Sequence, residues 1–229
     1  MKTKAPATQR RSSVGLKYVM AGSGVILIGY IVAHMIGNLK IFFGGDSFNA
    51  YAEWLRNLGA PLLPYEGLLW IIRIVLLVAL IAHVSSAIVL TRRAHAARPV
   101  KYAHRPPVRG SYAARTMRWG GLIIFLYVIF HILDLTTRHV NPVEEHSDVN
   151  AAVIATFAPD RWWVTLIYIA AVLMLGAHLR HGLWSAIQTA GLSSARTQQT
   201  LQRASTLFAI IIVVGFLSVP TAVILGLVS

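Results

Sequence analysis

Four histidines lie inside four separate apolar stretches: His34, His83, His131 and His178, with successive gaps of 49, 48 and 47 residues. That spacing is about one membrane crossing plus its connection, since a bilayer core needs roughly 20 apolar residues per helix. An ionisable ring in hydrocarbon is costly unless something binds it. A single such ring is as readily explained by a hydrogen bond between helices. One in each of four consecutive stretches points to a shared ligand. Neutral imidazole is a good iron ligand. Two imidazoles on one iron porphyrin fill both axial positions and favour electron transfer over oxygen binding. The chain has no cysteine, which excludes disulfides, thiolate metal sites, iron–sulfur clusters bound by this chain and covalent haem attachment.

The elements that must position these rings follow from composition. Of the 229 residues, 56% are hydrophobic and 13% charged, and the mean hydropathy is +0.62. This places the chain among integral membrane proteins rather than soluble domains. Five stretches are long enough to span: about Lys17–Asn38, Leu68–Leu90, Trp119–Thr137, Trp162–Ile187 and Ser205–Leu227. The expected fold is all-α, a single five-helix transmembrane domain over residues 1–229 with a polar arm at 1–14. The first apolar stretch reads as a retained helix, with no clear cleavage site after it. Trp70, Trp119, Trp162, Trp163 and Trp184 fall near helix ends, where amphipathic rings belong.

A net charge of +13 could indicate nucleic acid, but the basic residues cluster in short loops between apolar stretches. Sixteen of the 21 Lys and Arg fall in the N-terminal arm, the Arg92–Arg118 connection and the segment from Arg180 to Arg203. Lys40, Arg56, Arg138 and Arg161 lie on the opposite side, and Arg73 lies within the second helix. The positive-inside rule then puts the N-terminus in the cytoplasm and the C-terminus outside. The expected location is a cell (inner or plasma) membrane, crossed several times.

At about 1.5 Å rise per residue, His34 and His131 reach the outer half of the membrane and His83 and His178 the inner half. The two levels differ by about 14 Å, which suits two stacked haems. His181 lies three residues after His178 on roughly the same face, so spacing alone leaves that ligand open. Haem propionates need cations: Arg73 and Arg138 are placed for the outer haem, and Arg92, Arg93 and Arg180, with His181, for the inner one. Gly29, Ala33 and Gly37 make a small-residue stripe that permits close approach. Asp134, if buried, is expected to pair with Arg138 one turn on, with proton handling as the other reading. His95, His104, His139 and His146 fall in loops and are expected to be solvated. Pro220 is a candidate kink in the fifth helix.

The arrangement of five helices with one histidine in each of the first four, together with the string HLRHGLWSAIQTAGL from His178, resembles a known family. It is similar to the di-haem cytochrome b subunit of succinate:quinone oxidoreductases and fumarate reductases, in its single-chain, five-helix form. The resemblance covers the chain from about Ser12 onward. Its most specific piece is His178, Gly182 and Trp184, in which the first histidine is the family's ligand, favouring His178 over His181. The resemblance implies two haem b groups, on His34/His131 and His83/His178, and a quinone, commonly menaquinone. It implies a flavoprotein subunit and an iron–sulfur subunit docked on the cytoplasmic face. It also implies quinone chemistry near Glu66 at the outer end, with Ser13, Lys17, Arg93 and Trp184 as candidates at the inner end. Two rivals remain at this point. Membrane cytochromes of the formate dehydrogenase or nitrate reductase type place two ligands on one helix. A haem-free proton-coupled transporter would use the histidines as a relay with carboxylates.

Overall fold

A computed structural model describes residues 12–97 and 111–228, with side chains described from Met117 onward in the second stretch. Every regular element among the described residues is helical: α1 (Ser13–Asn38), α2 (Gly45–Asn57), α3 (Gly67–Ala96), α4 (Ser111–His131), α5 (Val149–Thr156), α6 (Trp162–Thr189) and α7 (Gln198–Ile224). A short 3-10 turn, Leu39–Phe43, extends α1, and a π turn, Ile132–Thr136, extends α4. Five of these, α1, α3, α4, α6 and α7, are long and apolar enough to cross a membrane. They mark the chain as a multi-pass membrane protein. In hydrocarbon the backbone must satisfy its own polar groups, which a helix does.

Large apolar side chains cover the outer faces, among them Val25, Ile26, Ile74, Leu77, Val78, Leu122, Ile210 and Val214. Such a surface would aggregate in water and is ordinary against lipid. The interior is organised around α6. Its buried residues Val164, Thr165, Tyr168, Ala171, Val172, Gly176 and Leu179 recur every three or four positions, one continuous helical stripe. α6 packs against α4 on one side and α7 on another, and α1 packs against α3, α6 and α7. A Cβ on Gly176 would collide with Val213 of α7, and one on Gly215 with the Met35 sulfur of α1. Both glycines let their helices approach closely, which drives association where there is no hydrophobic effect. α7 continues as helix through Pro220, which is buried.

Two elements go beyond the expected five. α2 and α5 lie in the connections at one end of the bundle, called here the capped end, where α1 and α4 finish and α3 and α6 begin. They are tied to each other: Asn49 donates to Asp148 at 3.0 Å and accepts from the Asn150 N–H at 3.0 Å. Asp148 also caps α5 by accepting the Ala151 N–H at 2.8 Å. α3 runs through Ala96 and α4 begins at Ser111, so the basic connection between them is shorter than the sequence pattern implies. His95, expected in that loop, sits in the last turn of α3, with its Nε2 2.8 Å from Arg118 Nη1. His104 and most of the N-terminal arm lie outside the described residues.

Overpacking the α6/α7 seam should be felt directly. Gly176→Val is expected to cost about 1–3 kcal/mol, read as a lowered thermal midpoint in detergent. Gly22→Ala, at a position with nothing within 4 Å, is expected to leave it unchanged.

Candidate functional site

The four intrahelical histidines meet as two pairs. The His34 and His131 ring centres are 5.7 Å apart with planes at 84°, and those of His83 and His178 are 6.1 Å apart at 61°. Of the two histidines on α6, His178 is the one whose ring meets His83; His181 turns its ring to Trp184, 5.7 Å away. The two pairs occupy different levels. His83 lies beside Gly24 of α1, whose Cβ would stand 3.3 Å from the imidazole. His34 is ten residues further along the same helix, about 15 Å. On α4 the same offset separates Gly121, which adjoins His178, from His131.

Two imidazoles bonded at about 2 Å to opposite sides of one metal place their ring centres about 6 Å apart. Both observed pairs are near that separation. The angle between the planes is free in such an arrangement, because each ring can turn about the metal–nitrogen axis. The helices point the same way. α1 packs on α3 and α4 on α6, but the helices that share a pair, α1 with α4 and α3 with α6, make little or no close backbone approach. Each pair thus spans a wider gap than helix packing leaves. Among the described residues no three histidines or carboxylates converge. The pairs therefore suit a metal that brings its own equatorial ligands, as a porphyrin iron does.

The remaining ring nitrogens set the tautomers. His83 Nδ1 lies 3.0 Å from the Met20 carbonyl and 3.5 Å from the Ser23 hydroxyl. A donated bond to the carbonyl leaves Nε2 free as a ligand. His131 Nδ1 lies 3.3 Å from the Tyr168 hydroxyl. His178 Nδ1 is buried without a partner. His34 stacks on Tyr30 at 5.3 Å and meets Phe216 at 6.0 Å. The expected small-residue stripe is divided in use. Gly29 faces open space, Gly37 receives the Tyr51 ring of α2, and it is Gly24, off that stripe, that admits an imidazole.

Asp134 is fully buried in the π turn after His131, but it does not pair with Arg138. The backbone leaves helical geometry before that residue, at φ 58°, so the one-turn offset no longer brings the two together. The partner is Arg161, whose Nη2 donates to Asp134 Oδ1 at 3.1 Å. Tyr168 and Thr156 donate to Oδ2 at 2.9 and 3.1 Å, and Asn141 to Oδ1 at 3.3 Å. α4, α5, α6 and the loop between α4 and α5 are thereby joined at one carboxylate.

Arg138 is instead 5% exposed, with Nε and Nη1 unpartnered and Nη2 3.5 Å from the His146 carbonyl. Burial, and then the neighbouring Arg56 charge, hold its pKa below the ordinary value, while Asp148 and Glu145 oppose them. It lines a cavity of about 240 Å³ with Arg56, Glu66, Arg73, Leu135 and His146. Glu66 bridges Arg73 at 3.1 Å and Arg56 at 3.7 Å, and Arg73 also lies over the Trp70 ring at 4.8 Å. His139 bonds Thr137 at 2.8 Å. At the other end Arg93 donates to Ser13 at 3.1 Å, joining α3 to the start of α1. Arg180 donates to Thr206 of α7 at 2.9 Å. Lys17 is exposed, and the indole nitrogen of Trp184 is buried without a partner.

No protein-family model matches this chain, and no curated protein or solved structure matches it.

Sequence reasoning did not find Tyr168, Arg161, Thr156 or Asn141. The available signal was Asp134 itself: a carboxylate in an apolar segment requires a cation, and Arg161 opens the following long helix. Asp134→Ala should leave Arg161 buried without a counter-charge and cost about 3–5 kcal/mol. The loss is expected in thermal unfolding in detergent and in faster proteolysis of the α4–α5 connection.

Proposed function

We propose that this chain is the membrane anchor and electron conduit of a succinate:quinone oxidoreductase, holding two b haems, one on His34 and His131 and the other on His83 and His178. The observation that carries the reading is the pairing itself. Four histidines from four helices form two couples at metal-spanning distance, on helices that make little or no close backbone approach. The resemblance in helix order and in the His178–Trp184 string selects this family among quinone-linked cytochromes. Formate dehydrogenase and nitrate reductase types draw two ligands from one helix, whereas here each helix supplies one.

Bound at these levels, haem iron would supply one-electron transfer between an iron–sulfur partner and quinone. The chain's own residues do the rest. The Met20 carbonyl and Tyr168 orient the rings of His83 and His131, and the apolar helix faces exclude water. Arg138, with its free nitrogens, and Arg73, with Arg56 beside them, offer cations to the propionates of the outer haem. Arg93 and Arg180, with His181, serve the inner one. The basic ends of the helices support an N-terminus in the cytoplasm, in an inner or plasma membrane. On that face a flavoprotein subunit and an iron–sulfur subunit dock. (Mena)quinone is the mobile acceptor or donor, with Glu66 at the outer end and Ser13, Lys17 and Trp184 at the inner end as candidate contacts. A transporter with a histidine–carboxylate relay is less well supported. Asp134, the carboxylate such a relay would need beside the histidines, is fixed by four partners.

The test is a reduced-minus-oxidised spectrum of the purified full chain. Low-spin b-type bands at about two haems per chain are expected. His34→Ala and His131→Ala should abolish one spectral component, and His83→Ala and His178→Ala the other. His181→Ala should keep both. A chain free of haem, or losses that group by neighbouring helices instead, would overturn the reading.

A further inference from the structure

We propose that Tyr168 and Asp134 form a hydrogen-bonded arm that lowers the reduction potential of the haem on His34 and His131, Tyr168 acting as a positioning residue for that iron. The inference rests on the proposed bis-histidine sites. The Tyr168 hydroxyl gives its proton to Asp134 Oδ2 at 2.9 Å. Its oxygen is therefore the acceptor for the His131 Nδ1–H at 3.3 Å. This fixes the tautomer that leaves Nε2 for the metal.

Arg161 pairs with Asp134, and Thr156 and Asn141 also donate to it. Its negative charge therefore acts through Tyr168 on the imidazole. A hydrogen-bond chain that ends in a charge polarises every member. The ring becomes a stronger donor, and a stronger donor favours Fe(III) over Fe(II). Aromatic neighbours keep the arm dry. Phe157 and Tyr127 stand 5.0 and 5.1 Å from the Tyr168 ring, and Phe130 at 6.3 Å. Charge acts further in such surroundings than in water.

The arm serves one level only. His83 leans on the neutral carbonyl of Met20, and His178 Nδ1 has no partner. The two sites therefore differ in ligand basicity by construction.

The experiment is an optical redox titration of the full chain in detergent, for the wild type and Tyr168→Phe. The haem affected is identified as the component that vanishes in His131→Ala. In Tyr168→Phe that component should become easier to reduce by roughly three- to tenfold, tenfold being about 59 mV for one electron. The other component should not move. A second variant, Asp134→Asn with Arg161→Gln, removes the ion pair together while keeping Tyr168 in place. It should shift the same component in the same direction, and it decides the matter if Tyr168→Phe fails to retain its haem. Unchanged potentials, or equal shifts in both haems, would overturn the arm while leaving the bis-histidine sites intact. A wild-type chain without haem ends both readings.

Discussion

An unpaired polar group is costly in hydrocarbon, and this chain is arranged around that constraint. Its backbone meets it by forming helices. Its side chains meet it at the capped end, where one carboxylate is shared among four donors. α5 supplies Thr156, the loop before it supplies Asn141, α6 supplies Tyr168, and the residue that caps α6 supplies Arg161. α2 has no member in the cluster but anchors α5 through Asn49 and Asp148. The short helices are thus the scaffold that brings partners to Asp134. The places where partners run out are as informative. The Arg138 nitrogens and His178 Nδ1 are buried and unbonded, and the former lie beside Arg73 and Arg56, where a propionate of the proposed outer haem would meet cations.

The packing hierarchy follows the same division. Close seams, made by Gly176 and Gly215, join α6, α7 and α1 into a tight core. α3 and α4 are attached to it from outside, on α1 and α6 respectively. The histidine couples bridge across the looser gaps rather than along the tight seams. A flat ligand between α1 and α4, or α3 and α6, needs no seam to open. The bundle can hold its shape on the tight side, while each looser gap is bridged by two imidazoles.

Much of this was legible in the residues. The five long helices follow from apolar length alone, and the levels of the histidines follow from rise per residue. Those signals survive because they depend on counting along one helix. What failed depended on where a chain turns. Asp134 and Arg138 are one helical turn apart in sequence, but the π turn and the left-handed backbone at Arg138 separate them. Arg161 is 27 residues away and adjacent in space. α2 and α5 are short and lack the apolar length that marks a spanning helix. Gly24 meets an imidazole although it lies off the Gly29 stripe, because periodicity shows which residues share a face, not what that face meets.

The Asp134–Arg161 pair raises a question of energy that its hydrogen bonds do not answer. A buried ion pair offsets its desolvation only in good geometry, and well-packed apolar residues of similar volume are often as stable or more so. Asp134 is fully buried and Arg161 nearly so, with one guanidinium nitrogen of Arg161 unbonded. Stability alone therefore does not require charge here. What an apolar replacement cannot do is present a fixed negative end to the Tyr168 hydroxyl. Arg161 stabilises that carboxylate from the side away from the tyrosine, so the pair behaves as an oriented dipole rather than a cancelled charge. Its negative pole is one hydroxyl removed from His131. The costly feature of the capped end is thus also the one that distinguishes the His131 imidazole from the other three.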